Sequence, residues 1–262
     1  MLAAIAHGVI MLTLKGKTVL VTGGSRGIGR AIVLALAERG ARVIIHYNSA
    51  QAAAEAVLAQ AGGNGGLAQA DLAQPLAARS LWNKALGIAG GRIDVLVNNA
   101  ATMRQSGVEA EWQDWAMDWQ AVMQVNLLAP ADLVKAAVPH FLGNGGGRII
   151  NITSRAAHRG DAPDYMHYAA SKAALAALTK SVARGYARQG VLAFNIAPGF
   201  TRTEMAQDWV ETYGEAFATQ DIPLGRMAAP EEVGALAAFL ASEAPPSLTG
   251  ATLDANGASY VR

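Results

Sequence analysis

Residues 18–29 read Thr-Val-Leu-Val-Thr-Gly-Gly-Ser-Arg-Gly-Ile-Gly, and this stretch decides the fold. Four residues of strand character run into a glycine-rich turn. The turn runs directly into an apolar, Ala- and Leu-rich segment of helical character. Glycines permit a tight turn and let the backbone approach an anion closely; the free N–H groups and dipole of the following helix then hold it. The spacing is not GxGxxG, nor is it the phosphate loop of nucleotide triphosphatases. Gly24 and Gly29 have the interval for that loop, but Arg30-Ala31 follows where a lysine and a hydroxyl are required. Taken alone, the stretch fits a structural turn as well as a cradle for a pyrophosphate.

Working outward, the same alternation fills the chain. Strands are expected at 18–21, 43–45, 67–70, 93–97, 148–152, 191–196 and 251–254. Helices are expected at 27–39, 51–61, 76–88, 118–141, 165–188 and 231–241, with Pro130 and Pro139 inside the fourth. Such alternation builds βαβ units, and runs such as Val-Leu-Val fit strands buried on both faces. The expected fold is α/β: one Rossmann-type domain over residues 12–262, a doubly wound parallel sheet of about seven strands with helices on both faces. Residues 1–11 are apolar, lack a basic leader and are too short to span a bilayer; they are expected to be an extension outside the fold, with Met11 a second plausible start.

Composition removes whole classes of function. The 262 residues carry a net charge of +1, with 52% hydrophobic and 16% charged side chains. That excludes disorder and gives no electrostatic reason to expect nucleic acid or an anionic membrane as a partner. There is no cysteine, which removes disulfides, thiol catalysis and iron–sulfur clusters together. The five histidines have no metalloprotease spacing, so no metal is expected. A cytoplasmic setting is expected.

In a doubly wound sheet, ligands lie beyond the carboxyl ends of the strands. Those ends fall at Thr22, Asn98, Ser154 and Pro198. Tyr168 and Lys172 are four apart in an expected helix and so share one face. An ammonium beside a phenol favours the phenolate; bringing a pKa of 10 to about 7 needs roughly 4 kcal/mol. The pair is therefore a candidate for general acid–base chemistry.

Thr22-Gly23-x-x-x-Gly27-x-Gly29, Asn98-Asn99-Ala100, Asn126, Ser154, Tyr168-x-x-x-Lys172 and Pro198-Gly199 stand in the order of the short-chain dehydrogenase/reductase family, which the chain resembles from about residue 15 to 260. The resemblance implies hydride transfer between a nicotinamide cofactor and a carbonyl carbon. It makes Asn126, Ser154, Tyr168 and Lys172 catalytic: Tyr168 the proton donor and acceptor, Ser154 the partner of the substrate oxygen, Asn126 the holder of a relay water. Lys172 would also bind the nicotinamide ribose. Gly23, Ser25, Arg26, Gly27, Ile28 and Gly29 would cradle the pyrophosphate. His46, Asn48 and Ser49 end strand 2; Asp71 and Leu72 would meet the adenine; Asn98, Ala100, Pro198, Gly199, Thr201 and Thr203 complete the cofactor positions.

No carboxylate ends strand 2, and Arg26 stands in the turn, so NADP(H) is favoured and NAD(H) stays open. Two departures stand out: an extra residue between Ser154 and Tyr168, within Asp161-Ala-Pro-Asp164, and Ala101 in place of the usual glycine. The family also implies a homo-oligomer, commonly a tetramer, and a lid over residues 204–224, whose Met205, Trp209, Tyr213 and Phe217 fit an apolar pocket or, equally, a cover for the core. Trp112, Trp115 and Trp119 share a helical face whose default use is packing. A small carbonyl or alcohol is the expected substrate. The alternatives kept open are 3-oxoacyl-carrier-protein reduction, which the uncharged stretch 143–147 before Arg148 disfavours, and a non-catalytic dinucleotide sensor.

Overall fold

The computed structural model describes residues 13–204, 206, 210–211, 214, 216 and 219–262. The expected N-terminal extension and the lid residues Met205, Trp209, Tyr213 and Phe217 lie outside them. Seven parallel strands form one sheet: β1 (Thr18–Val21), β2 (Arg42–Tyr47), β3 (Gly65–Gln69), β4 (Val95–Asn98), β5 (Gly147–Ile152), β6 (Val191–Pro198) and β7 (Thr252–Ala255). Their order is β3-β2-β1-β4-β5-β6-β7, so the winding reverses between β1 and β4. That reversal is where such sheets open a crevice for ligands.

Period-two alternation gives each strand two apolar faces. Val19 and Val21 join a cluster with Ile32, Leu36, Val233 and Leu240, from helices α1 (Gly27–Glu38) and α8 (Pro230–Ser242). Between them Leu20 points the other way and packs with Leu81, Leu133 and Phe141. Those come from α3 (Ala77–Ile88) and α5 (Ala129–Gly143). Helix α2 (Gln51–Gln60) covers the first face near β2 and β3. Covering both faces is what makes all-apolar strands stable.

Two differences from the sequence expectation have physical causes. Strand β3 starts at Gly65 rather than 67, because a Cβ at Gly65 would collide with the Val43 carbonyl oxygen and one at Gly66 with the Ile88 side chain. Glycine is kept there by close packing, which local propensity cannot register. The helix expected at 118–141 begins instead at α4 (Trp112–Met123) and reaches α5 through a widened π turn, Gln124–Leu128. Pro130 has no N–H for the Asn126 carbonyl and its ring would crowd that group, a conflict that the extra residue per turn relieves. By length and composition Trp112–Gly143 is apolar enough to cross a membrane, but Leu133, Val134, Ala137, Val138 and Phe141 are spent in the core. A short helix α6 (Ala156–Arg159) and a turn at Pro163–Tyr165 precede α7 (Met166–Tyr186).

Candidate active site

Every residue expected at the site except Asn98 and Asn126 lines one cleft of about 1400 Å³ at the carboxyl ends of the strands. The glycine turn forms one wall. Gly23 and Gly27 adopt left-handed φ of 64° and 52°. A Cβ at Gly29 would collide with the Gly23 carbonyl oxygen and lie 2.6 Å from Asn99 Nδ2. Only glycine therefore fits at these turns. Helix α1 then opens with no side-chain cap and no acidic residue in its first turn. Its leading N–H groups and dipole remain available, and a pyrophosphate is the kind of anion that fits them.

Asn99, which sequence reasoning passed over between its two neighbours, braces this wall. Its Nδ2 donates to the Thr22 carbonyl at 2.9 Å and the Gly23 carbonyl at 3.1 Å. Thr22 Oγ1 in turn accepts the N–H groups of Asn99 and Ala100 at 2.9 and 3.0 Å. His46 is buried behind the turn. Its Nδ1 accepts the Gly23 N–H at 3.0 Å, so Nε2 carries the proton that meets the Ala70 carbonyl at 3.1 Å. Burial draws the imidazole down to about 4 and keeps it neutral. His46 lies in the cleft wall, with both nitrogens committed to the protein.

The remaining strand-end residues are more open. Asn48 and Ser49 are exposed. Arg26 faces Glu204 at 3.4 Å with both side chains 70% accessible, an arrangement that holds the guanidinium weakly. Asp71 closes a local turn by accepting the Ala73 N–H and the Gln74 amide at 3.0 and 3.1 Å. Gly199 sits where a Cβ would lie 2.8 Å from Asn256 Cβ, and Thr203 lies against Gly27.

Opposite stands the proton-transfer group. Ser154 follows β5 and hydrogen-bonds the Tyr168 phenol from α7; its Oγ also accepts the Ala156 N–H at 3.1 Å. Lys172, one turn along α7, is buried and donates to the Ile152 carbonyl at 2.9 Å. Its Nζ sits 5.7 Å from the centre of the Tyr168 ring. From the spacing alone, the ammonium is expected to pull the phenol down. In the protein itself burial is the larger effect: it pushes Tyr168 up to about 12, against the Ser154 hydrogen bond, and draws Lys172 down to about 8. Both changes favour neutral forms, as desolvation demands.

Asn126 and Asn98 stand behind the wall and do not line the cleft. Asn126 is fully buried in the π turn. Its Oδ1 accepts the Thr102 N–H at 2.8 Å, while Nδ2 donates to the Thr102 carbonyl at 2.9 Å and Ser171 Oγ at 3.1 Å. The side chain is thus committed to holding the loop after β4. Asn98 Nδ2 donates to Asn151 Oδ1 at 2.8 Å. The stretch expected to reshape the pocket borders the cleft. Asp161 and Ala162 line the cleft, and Asp164 ties to Gln105 and to the Ser106 N–H, both at 2.9 Å. Of the tryptophans, Trp115 and Trp119 pack together and Trp119 packs on His167, while Trp112 is 85% exposed.

Residues 23–257 match the family model described as enoyl-(acyl carrier protein) reductase. A 3-oxoacyl-[acyl-carrier-protein] reductase of Synechocystis is 39% identical over 251 residues, covering 94% of this chain and 98% of the relative. A short chain dehydrogenase of Emericella nidulans is 38% identical over 256 residues, 94% of each chain. Among solved structures, a 3-oxoacyl (acyl-carrier-protein) reductase of Agrobacterium tumefaciens with NADP bound matches with a TM-score of 0.86 and 33% identity, covering 94% of this chain and 95% of that one.

Proposed function

Because the chain belongs to the short-chain dehydrogenase/reductase family, we propose that it is an NADP(H)-dependent oxidoreductase interconverting a secondary alcohol and a ketone, with Tyr168 as general acid and base. The observation that carries this reading is the meeting of Ser154, Tyr168 and Lys172 in the cleft that also holds the uncapped glycine turn. The bound nicotinamide supplies the hydride in reduction and takes it in oxidation. The chain supplies everything else.

The N–H groups opening α1 and the Gly23–Gly29 turn bind the pyrophosphate. Arg26, loosely held by Glu204, with Asn48 and Ser49, receives a 2′-phosphate, and no acid at the end of β2 repels it. Ser154 Oγ and Tyr168 Oη together hydrogen-bond the carbonyl oxygen of the ketone. Tyr168 Oη then gives its proton to that oxygen as the alcohol forms. Lys172, poised near its own titration point by burial, stabilises the phenolate left behind. The enzyme works as a cytoplasmic homotetramer in the same reading. Replacing Tyr168 by Phe should lower NADPH-dependent ketone reduction at least 1,000-fold, within the range for losing a general acid, while NADPH affinity changes less than about threefold. Retained turnover in that variant refutes the mechanism.

The two relatives named as 3-oxoacyl-carrier-protein reductases favour a second reading, reduction of a carrier-bound acyl thioester. Arg148 offers little to an acidic carrier. Its Nη1 is turned inward onto the Leu240 and Ala244 carbonyls at 2.6 and 3.1 Å.

A further inference from the structure

Immediately after Ser154 the chain places a cation in the cleft wall. The Arg155 side chain is only 7% exposed, and its Nη1 is buried with no hydrogen-bond partner among the described residues. The guanidinium carbon sits 4.7 Å over the Phe200 ring. Such stacking leaves the in-plane N–H donors free for an acceptor. The backbone N–H of Arg155 is tied to the Pro198 carbonyl at 2.9 Å, so the residue is anchored between the ends of β5 and β6. The charged groups facing it are Arg159, Asp161 and Asp221, all of which line the same cleft. Among the described residues, Asp221 is the nearest carboxylate, at 3.6 Å from Arg155 Nη1, which is beyond hydrogen-bond length. Its oxygen is instead taken by Arg159 at 2.5 Å, and its side chain is 50% exposed.

A buried guanidinium nitrogen without an acceptor is costly. Here the deficit belongs to a residue that lines the cleft, one residue from the hydroxyl assigned to the reacting carbonyl. We infer that Arg155 is a specificity-determining residue that receives a carboxylate carried on the ketone, making short oxo acids the substrate class; this rests on the oxidoreductase reading above. Arg159 and Asp221 form the outer part of the same site. Asp221 partly neutralises the two arginines when no substrate is present and competes with the incoming carboxylate. The arrangement suits a carboxylate close to the reacting carbon. It does not suit a fatty acyl thioester, whose methylenes would lie against a desolvated cation.

The test compares 3-oxobutanoate and 4-oxopentanoate with their methyl esters as substrates of the full chain with NADPH. The wild-type protein should prefer the better acid over its ester by at least 10-fold in kcat/KM. Arg155→Gln should lower kcat/KM for the acid about 10- to 100-fold, the worth of a charge-assisted hydrogen bond, mainly through KM, and leave the esters within about threefold. Asp221→Asn should act in the opposite direction and lower KM for the acid, which a merely structural pair would not do. NADPH affinity and Tm report whether Arg155→Gln is folded; if it is not, Arg155→Lys and Asp221→Asn carry the comparison. A turnover-free arm titrates pentanoate and pentanamide into the NADP-loaded protein by calorimetry: the carboxylate should bind and the amide should not. Ester turnover without acid preference, or an acid preference untouched by Arg155→Gln, overturns the assignment and leaves the oxidoreductase reading standing. Ketone turnover that survives Tyr168→Phe overturns that reading instead.

Discussion

At the scale of single residues, the site is assembled from groups held in forms they would not adopt in water. Lys172 shows the consequence most directly. Its ammonium is buried, and its titration point falls from 10.5 to about 8. Below pH 8 both the folded and unfolded chains carry this charge, and only the folded one buries it. The protein is therefore destabilised there by about 3 kcal/mol, since each pH unit between the two titration points corresponds to roughly 1.4 kcal/mol. As pH rises from 8 to 10.5 the folded lysine is already neutral while the unfolded one still binds a proton, so the penalty fades. Replacing Lys172 by Met should remove the penalty and lose the hydrogen bond to the Ile152 carbonyl, worth about 1 kcal/mol. The net gain of about 2 kcal/mol should raise Tm at pH 7 by about 5 °C, with catalysis lost. Thermal melts without dinucleotide at pH 7 and pH 10.5 check this. A variant that melts lower at pH 7, or gains equally at both pH values, contradicts the account.

At the scale of elements, the decisive local feature is the π turn between α4 and α5. It swings Asn126 to where one amide holds both backbone groups of Thr102, and so fixes the loop after β4 that shapes the cleft. Pro130 imposes the turn by denying the Asn126 carbonyl an α-helical partner. Pro130→Ala should let the helix regularise. The expected result is an unchanged or slightly raised Tm with kcat/KM about 10-fold lower, the cost of one to two hydrogen bonds at the loop. NADPH affinity should hardly move, and an unaltered kcat/KM would remove the turn from the explanation. The sequence made the elements themselves legible, because strands such as 18–21 and 191–196 are apolar on both faces and the helices between them keep a helical period. It hid the π turn, since a proline within a helical pattern reads locally as tolerance or breakage. It hid the start of β3 because Gly65 and Gly66 are there for tertiary clearance. The site was legible where chemistry fixes residue type, at Gly29, Ser154, Tyr168 and Lys172. It was not legible at Asn99 or Arg155, whose roles depend on what the fold brings beside them.

At the scale of the whole molecule, the catalytic helix must be registered to the sheet. A polar row, buried except at its β7 end, performs this. Asn98, Asn151, Asn195 and Thr252 are successive partners across β4, β5, β6 and β7. Thr179 of α7 closes the row: its Oγ1 accepts from Asn151 Nδ2 at 2.7 Å and donates to Asn195 Oδ1. Asn98 bonds Asn151, and Asn195 Nδ2 reaches Thr252 Oγ1 at 3.2 Å. Thr179 lies seven residues, two helical turns, beyond Lys172, so the row pins α7 lengthwise as well as against the strands. An apolar contact would leave that sliding freedom open, whereas directional hydrogen bonds in a dry interior do not. Thr179→Val keeps the shape and strands two buried amide groups. It should cost about 2–4 kcal/mol and lower Tm by roughly 5–10 °C, while Thr179→Ser restores the hydroxyl and should recover at least half of the loss. The same variants separate packing from registration: if α7 is only packed, kcat should follow the folded fraction, and if it is registered, Thr179→Val should lower kcat even where fully folded. A Tm within about 1 °C of the parent, with unchanged kcat, would assign the row no part in holding the site.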